Sequence, residues 1–257
     1  MSWSARQYVK FEDERTRPVR DLIARIPNRE AGVAVDLGCG PGNSTELLLG
    51  RFPEAQVVGI DNSADMIAAA RKRMPDTAFE LHDITAWSRA EGAVDVILSN
   101  AALQWVPDHG SLLPALVGRL KTGGALAVQM PHNLDEPAHR AMRIVAADGP
   151  WGDRLAAAAR PADGQHEPAY YYDVLGAAGA TVDVWMTIYH HVMPDVAAVV
   201  EWFKGSALRP FLAPLDADEQ QAFLAHYLEA ISPLFPPRHD GSVLLPFPRL
   251  FFVATRV

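Results

Sequence analysis

Val33-Ala34-Val35-Asp36-Leu37-Gly38-Cys39-Gly40-Pro41-Gly42-Asn43 decides how the rest of the chain is read. An apolar run of strand character ends at an acid, and three glycines then alternate with other residues before a helical pattern begins. Strand, tight glycine loop and helix start form the unit that holds a nucleotide-like ligand against backbone N–H groups. Glycine permits that approach because it carries no Cβ to collide with the ligand.

The same rhythm runs outward from this unit. Upstream, residues 4–26 are predicted helical through the broken stripe Tyr8, Phe11, Val19, Leu22, Ile23 and Ile26, with Pro18 dividing them into two short helices. Downstream, residues 56–60 form a second strand ending in Asp61, and Ser63 caps the helix that follows. Residues 78–82 form a third strand ending in Asp83, and the near-continuously apolar residues 94–99 a fourth. Residues 112–120 read as a helix, 121–124 as a turn and 125–130 as a fifth strand. Strands alternating with helices at this spacing predict a parallel, doubly wound α/β sheet.

After Pro131 the rhythm breaks. Residues of about 134–172 are helix-rich, 182–189 resume strand alternation, about 195–231 are helical again, and 250–255 form a last strand. The strands near 185 and 252 are expected to make an edge hairpin. The prediction is one Rossmann-like domain over residues 1–257, with a seven-stranded sheet that is mostly parallel and has an antiparallel C-terminal strand. A helical lid over 1–30 and helical segments of about 134–172 and 195–240 are expected to roof its ligand end.

Composition narrows the partners. The 257 residues hold 23 Lys and Arg against 31 Asp and Glu, a net charge of −8 without a basic run, which argues against nucleic acid. No apolar stretch is long enough to cross a membrane, and residues 1–6 lack the apolar core of a signal peptide. With Cys39 as the single cysteine, a cytoplasmic protein is expected. Cys39 reads as a packing residue, and His190 and His191 lack spaced partners for a metal.

In open α/β sheets ligands sit outside the carboxyl ends of the strands, so the residues just past each strand are the candidates. The loop from Asp36 through Gly38 and Gly40 to Asn43 comes first. Asp36 beside the glycines repels a pyrophosphate but suits an ammonium group. Asp61 can accept both hydroxyls of a ribose, with Asn62 next to it. Asp83 can accept an adenine amino group while the Ile84 N–H donates to a ring nitrogen, and Met66 and Ile84 supply apolar walls. Asn100 and Ala101 end the fourth strand.

Asp-Leu-Gly-Cys-Gly-Pro-Gly (36–42), Gly-Ile-Asp (59–61), His-Asp-Ile (82–84) and Leu-Ser-Asn-Ala-Ala-Leu-Gln-Trp (98–105) resemble the motif series of class I S-adenosylmethionine-dependent methyltransferases. Residues 8–18, 103–109, 128–131, 169–175 and 246–251 extend the resemblance to the trans-aconitate 2-methyltransferase family across essentially the whole chain. The resemblance implies S-adenosylmethionine as cofactor, a carboxylate of trans-aconitate as methyl acceptor, Tyr8 and Arg15 in an N-terminal lid over the methionine end of the cofactor, and Trp105 in contact with the cofactor. A carboxylate is already ionised at pH 7, so no general base is required, and no catalytic residue is assigned. The polyanionic acceptor needs cationic and hydroxyl donors. Tyr170, Tyr171, Tyr172 and Arg209 are the first candidates, followed by His166, His132, Gln129, Arg238 and Arg249. Alternatives are another small carboxylic acid or a carrier-bound carboxylate, a nicotinamide oxidoreductase, and a non-catalytic cofactor-binding protein.

Overall fold

The structure, a computed structural model, describes residues 12–159 and 166–257, and of residues 12–15 the backbone alone. Its contacts divide the chain into two compact units. The first takes residues up to Pro131, then Gly164–Thr187 and Arg249–Val257; the second takes His132–Asp163 and Ile188–Pro248.

The described residues form one seven-stranded sheet in the order β3-β2-β1-β4-β5-β7-β6. The strands are β1 (Val33–Leu37), β2 (Gln56–Asp61), β3 (Ala78–Leu81), β4 (Val94–Asn100), β5 (Leu120–Pro131), β6 (Ala180–Met193) and β7 (Val243–Arg256). Neighbours among β1 to β5 pair in parallel, and β7 runs antiparallel to β5. The chain order reverses between β1 and β4, which is where an open α/β sheet leaves a crevice at its carboxyl edge. β4 is buried along nearly its whole length, as its unbroken apolar sequence requires of a central strand.

Helices α1 (Glu12–Ile23), α2 (Asn43–Arg51) and α3 (Ala64–Arg73) belong to the first unit, as do α4 (Ile84–Ser88) and α5 (His109–Gly118). The structure corrects the expected break at Pro18, because α1 continues through it. Proline removes one helical hydrogen bond and costs ~3 kcal/mol in a helix interior. Here the apolar face formed by Val19, Leu22 and Ile23 is buried, and α1 packs on α2 and β5, which offsets that cost. β5 begins at Leu120, before the expected turn, and its pairing with β4 shifts register between Val94 and Val96 to accommodate residues 121–124.

Two faces of the sheet carry different partners. Val35, Leu37, Ile97, Leu126, Val128 and Phe252 share a core with Leu112, Leu113 and Leu116 of α5 and with Tyr171 and Leu175 of α8 (Pro168–Ala177). Asp36, on the opposite face, meets α2.

The second unit holds the helices α6 (Pro137–Asp148), α7 (Gly152–Leu155), α9 (Val196–Lys204), α10 (Arg209–Leu212) and α11 (Ala217–Ile231). α11 starts with a capping box between Asp216 and Glu219 and buries Phe223 and Tyr227. Phe223 lies 5.4 Å from the Trp151 ring, and the Tyr227 hydroxyl donates to the Ala138 carbonyl over 3.2 Å, which joins α11 to α6.

Candidate functional site

The glycine loop is held by the end of β2. Gly38 N and Cys39 N both donate to the Ile60 carbonyl, at 2.8 and 2.9 Å. Gly38 has φ 75°, and a Cβ built on it would stand 2.2 Å from the Ala102 Cβ, so only glycine fits. Gly40 has φ 54° with no atom of the described residues within 4 Å of where its Cβ would be. That glycine serves a left-handed turn and leaves its backbone open on the ligand side. Gly42, at φ 95°, starts α2 with no side-chain cap among the described residues.

Asp36 is completely buried behind this loop. One carboxylate oxygen accepts from the hydroxyls of Ser44 and Thr45, each at 2.7 Å. The other is buried with no hydrogen-bond partner among the described residues. Burial pushes its pKa up to about 6, against the two hydroxyls that favour the anion, and nearby Asp61 adds a further push upward. A half-satisfied buried carboxylate is expensive unless a cationic or donor group completes it. Ser44 and Thr45 were not among the sequence candidates. Their signal was two hydroxyls in the first turn of the helix that follows an acid-bearing glycine loop.

Asp61 closes the loop from the other side. Its two oxygens accept from Gly40 N at 2.9 Å and Ser63 N at 2.8 Å, and each oxygen retains acceptor capacity. Burial nevertheless raises its pKa. Asn62 is exposed beside it, Met66 is buried in α3, and Ile84 is buried within 3.9 Å of where a Cβ on Gly38 would stand. Asp83 is exposed and caps α4 through Ala86 N at 2.9 Å, which leaves one carboxylate oxygen for another donor. Thr16, Val19, Gly38, Asn43, Ser44 and Asn100 line one narrow cleft beside the loop.

Past β4 the backbone turns sharply. Ala101 has φ 55°, its N–H donates to the Gln129 carbonyl at 2.8 Å, and the Gln104 side chain donates to the Ala101 carbonyl at 2.7 Å. Leu103–Trp105 form a single 3-10 turn on which Trp105 is 57% exposed. His109, fully buried at the start of α5, secures this turn: its Nε2 meets the Leu103 carbonyl at 2.9 Å and its Nδ1 meets the Tyr171 hydroxyl at 3.1 Å. A carbonyl only accepts, so Nε2 carries the proton and Tyr171 donates to Nδ1. Burial holds the His109 pKa below the usual histidine value, consistent with that neutral tautomer. Gln104 and His109 stand in the segment 103–109 that carries the family resemblance, but neither was among the candidate site residues.

The acceptor candidates separate. Tyr171 is a correction: it is completely buried, stacks on Phe252 at 5.3 Å and uses its hydroxyl on His109, so it packs the core. Tyr172, one residue on, is 55% exposed. Tyr170 is half-buried and stacks on the His166 ring at 3.8 Å. Gln129 is fully buried on β5, and Arg249, 4% exposed on β7, donates to it. His132 and Arg209 are half-buried in the second unit, and Arg238 is exposed there. Tyr8 lies outside the described residues, and of Arg15 only the helical backbone is described.

A model described as a methyltransferase domain matches residues 34–124. The chain is 52% identical to a trans-aconitate 2-methyltransferase of Variovorax paradoxus, covering 100% of this chain and 99% of the relative. It is 53% identical to a trans-aconitate 2-methyltransferase of Methylobacterium radiotolerans, over 99% of this chain and 98% of that one. Among solved structures it resembles magnesium protoporphyrin IX methyltransferase from Synechocystis, with bound SAH, at a TM-score of 0.53 and 14% identity over 94% of this chain and 83% of the other.

Proposed function

The chain belongs to the trans-aconitate 2-methyltransferase family, and we propose that it transfers a methyl group from S-adenosylmethionine to a carboxylate of trans-aconitate. The products are the monomethyl ester and S-adenosylhomocysteine. The acceptor follows from the family; the observation that carries the donor is Asp36.

The residues present fit that donor. A buried carboxylate oxygen without a partner among the described residues matches an amino-acid ammonium, and Gly40 keeps backbone open beside it. Asp36 would hold the ammonium, Asp61 the ribose hydroxyls, and Asp83 with the Ile84 N–H the adenine edge. When bound, S-adenosylmethionine supplies a methyl on a sulfonium, whose C–S bond breaks as a carboxylate oxygen bonds to the methyl carbon. The protein's own part is positioning and exclusion of water. No proton leaves the attacking oxygen, so no side chain needs to act as a base.

Incubating the protein with labelled S-adenosylmethionine and trans-aconitate, cis-aconitate or citrate tests the reading. The expected product is a base-labile methyl ester from trans-aconitate, formed faster than from the other two acids. Absence of ester across the panel overturns the proposed acceptor.

A further inference from the structure

The second unit holds a cavity of its own, of about 90 Å³. Its polar lining comes from one short segment: Asn133, Glu136 and His139, which lead into the first turn of α6. Apolar lining comes from elements distant in sequence, with Phe203 on α9, Phe235 just past the 3-10 turn Ser232–Leu234, and Leu245 near the start of β7. All three of these apolar side chains are buried.

His139 gives this cavity its chemistry. It is 6% exposed, and its Nδ1 is enclosed with no hydrogen-bond partner among the described residues. The ring meets Phe203 edge-on, 4.9 Å between centroids. Burial, with the Arg143 charge adding to it, holds the His139 pKa down to about 4. The imidazole is therefore neutral at pH 7 and carries one N–H and one lone pair. Leaving such a group unpaired in the interior costs free energy that a ligand hydrogen bond recovers. The cavity exceeds the ~30 Å³ that one water takes up, and water gains nothing from apolar walls. Charge narrows the occupant further. No Lys or Arg is among the described residues that line the cavity, so a polycarboxylate finds no counter-charge in it. A hydroxyl matches the ring in either tautomer, donating to the lone pair or accepting from the N–H.

We propose that this cavity binds a small neutral molecule with an apolar body and one hydroxyl group. His139 takes the hydroxyl, and Phe203, Phe235 and Leu245 take the body. The site differs in chemistry from one for the methyl acceptor, which must hold a polyanion, and it does not rest on the methyl-transfer reading.

Phenol and toluene, alike in size and shape, are the probes, titrated into the whole chain by ligand-observed NMR at neutral pH. Phenol should bind about fivefold more tightly than toluene, the worth of one neutral hydrogen bond. A merely apolar void gives the reverse order, because it desolvates the phenol hydroxyl without pairing it. Benzoate puts a carboxylate on the same ring and should bind about tenfold more weakly than phenol, or worse. In His139→Leu, phenol should lose its advantage over toluene. Leu234 lines the cavity and is 42% exposed, so Leu234→Trp can be accommodated and should weaken both ligands; it serves if His139→Leu does not fold. Toluene binding as tightly as phenol, no binding of either, or wild-type phenol affinity in every variant that folds overturns the proposal. Displacement of phenol by trans-aconitate overturns it too, since the cavity would then belong to the acceptor site.

Discussion

Asp36→Asn should weaken S-adenosylhomocysteine binding ~10- to 100-fold at pH 7.5, the equivalent of one charge-assisted hydrogen bond, while raising the melting temperature of the ligand-free protein. The two effects have one origin. At neutral pH the native state confines an ionised carboxylate whose second oxygen has no partner among the described residues. Its pKa rises from 3.8 to about 6, so between those values the native state binds more protons than the unfolded chain. The stabilising contribution is then complete below the unfolded value and is lost as pH rises through about 6. The difference is on the order of 3 kcal/mol by pH 7. Asparagine keeps an oxygen for Ser44 and Thr45 and removes the charge, so the variant's stability should vary less over pH 4.5–7.5. Cofactor affinity responds in the opposite sense. In the wild type it should fall on acidification below about pH 6, because a proton and an ammonium compete for the same anion, and in the variant it should stay flat. Thermal melts and calorimetry across that range check both statements. A variant that loses melting temperature and affinity together would show Asp36 to be a structural residue.

Asp61→Ala should cost still more, raising the S-adenosylmethionine KM ~100-fold or beyond, since two charge-assisted bonds at ~1.5 kcal/mol each are the low end. The same carboxylate accepts from Gly40 N and Ser63 N, so its removal also strips two backbone donors of their partner and loosens the loop itself. The nucleoside alone separates the two acids. 5′-Methylthioadenosine affinity should fall with Asp61→Ala and remain at its wild-type value with Asp36→Asn. A KM within threefold of wild type would mean that the ribose lies elsewhere.

Much of the first unit was legible because its signals are local. Alternating apolar strands, Gly38, Gly40 and Gly42, and acids at the strand ends are each dictated by backbone geometry within a few residues. Pro18 misled for the opposite reason: a local rule predicts a break, and tertiary burial of Val19, Leu22 and Ile23 overrides it. The tyrosines show the same limit. Tyr170, Tyr171 and Tyr172 look equivalent in a row, yet the ~100° step between consecutive helical residues sends Tyr171 into the core and Tyr172 to solvent. Gln129 and Arg249 are 120 residues apart and meet only because β7 inserts beside β5. A register of that kind is written in the pairing of strands, not in either segment.

Cys39, packed against Ile67, Ala70 and Phe79 in the middle of the glycine loop, is the chain's one cysteine. Burial drives its thiol far above the ordinary range, so the closed loop presents no thiolate to an alkylating reagent. Its modification rate is therefore a stopwatch for opening of the packing between this loop, α3 and β3. The protein carries its own single-site chemical reporter, which no engineered label needs to supply and no second sulfhydryl can confuse.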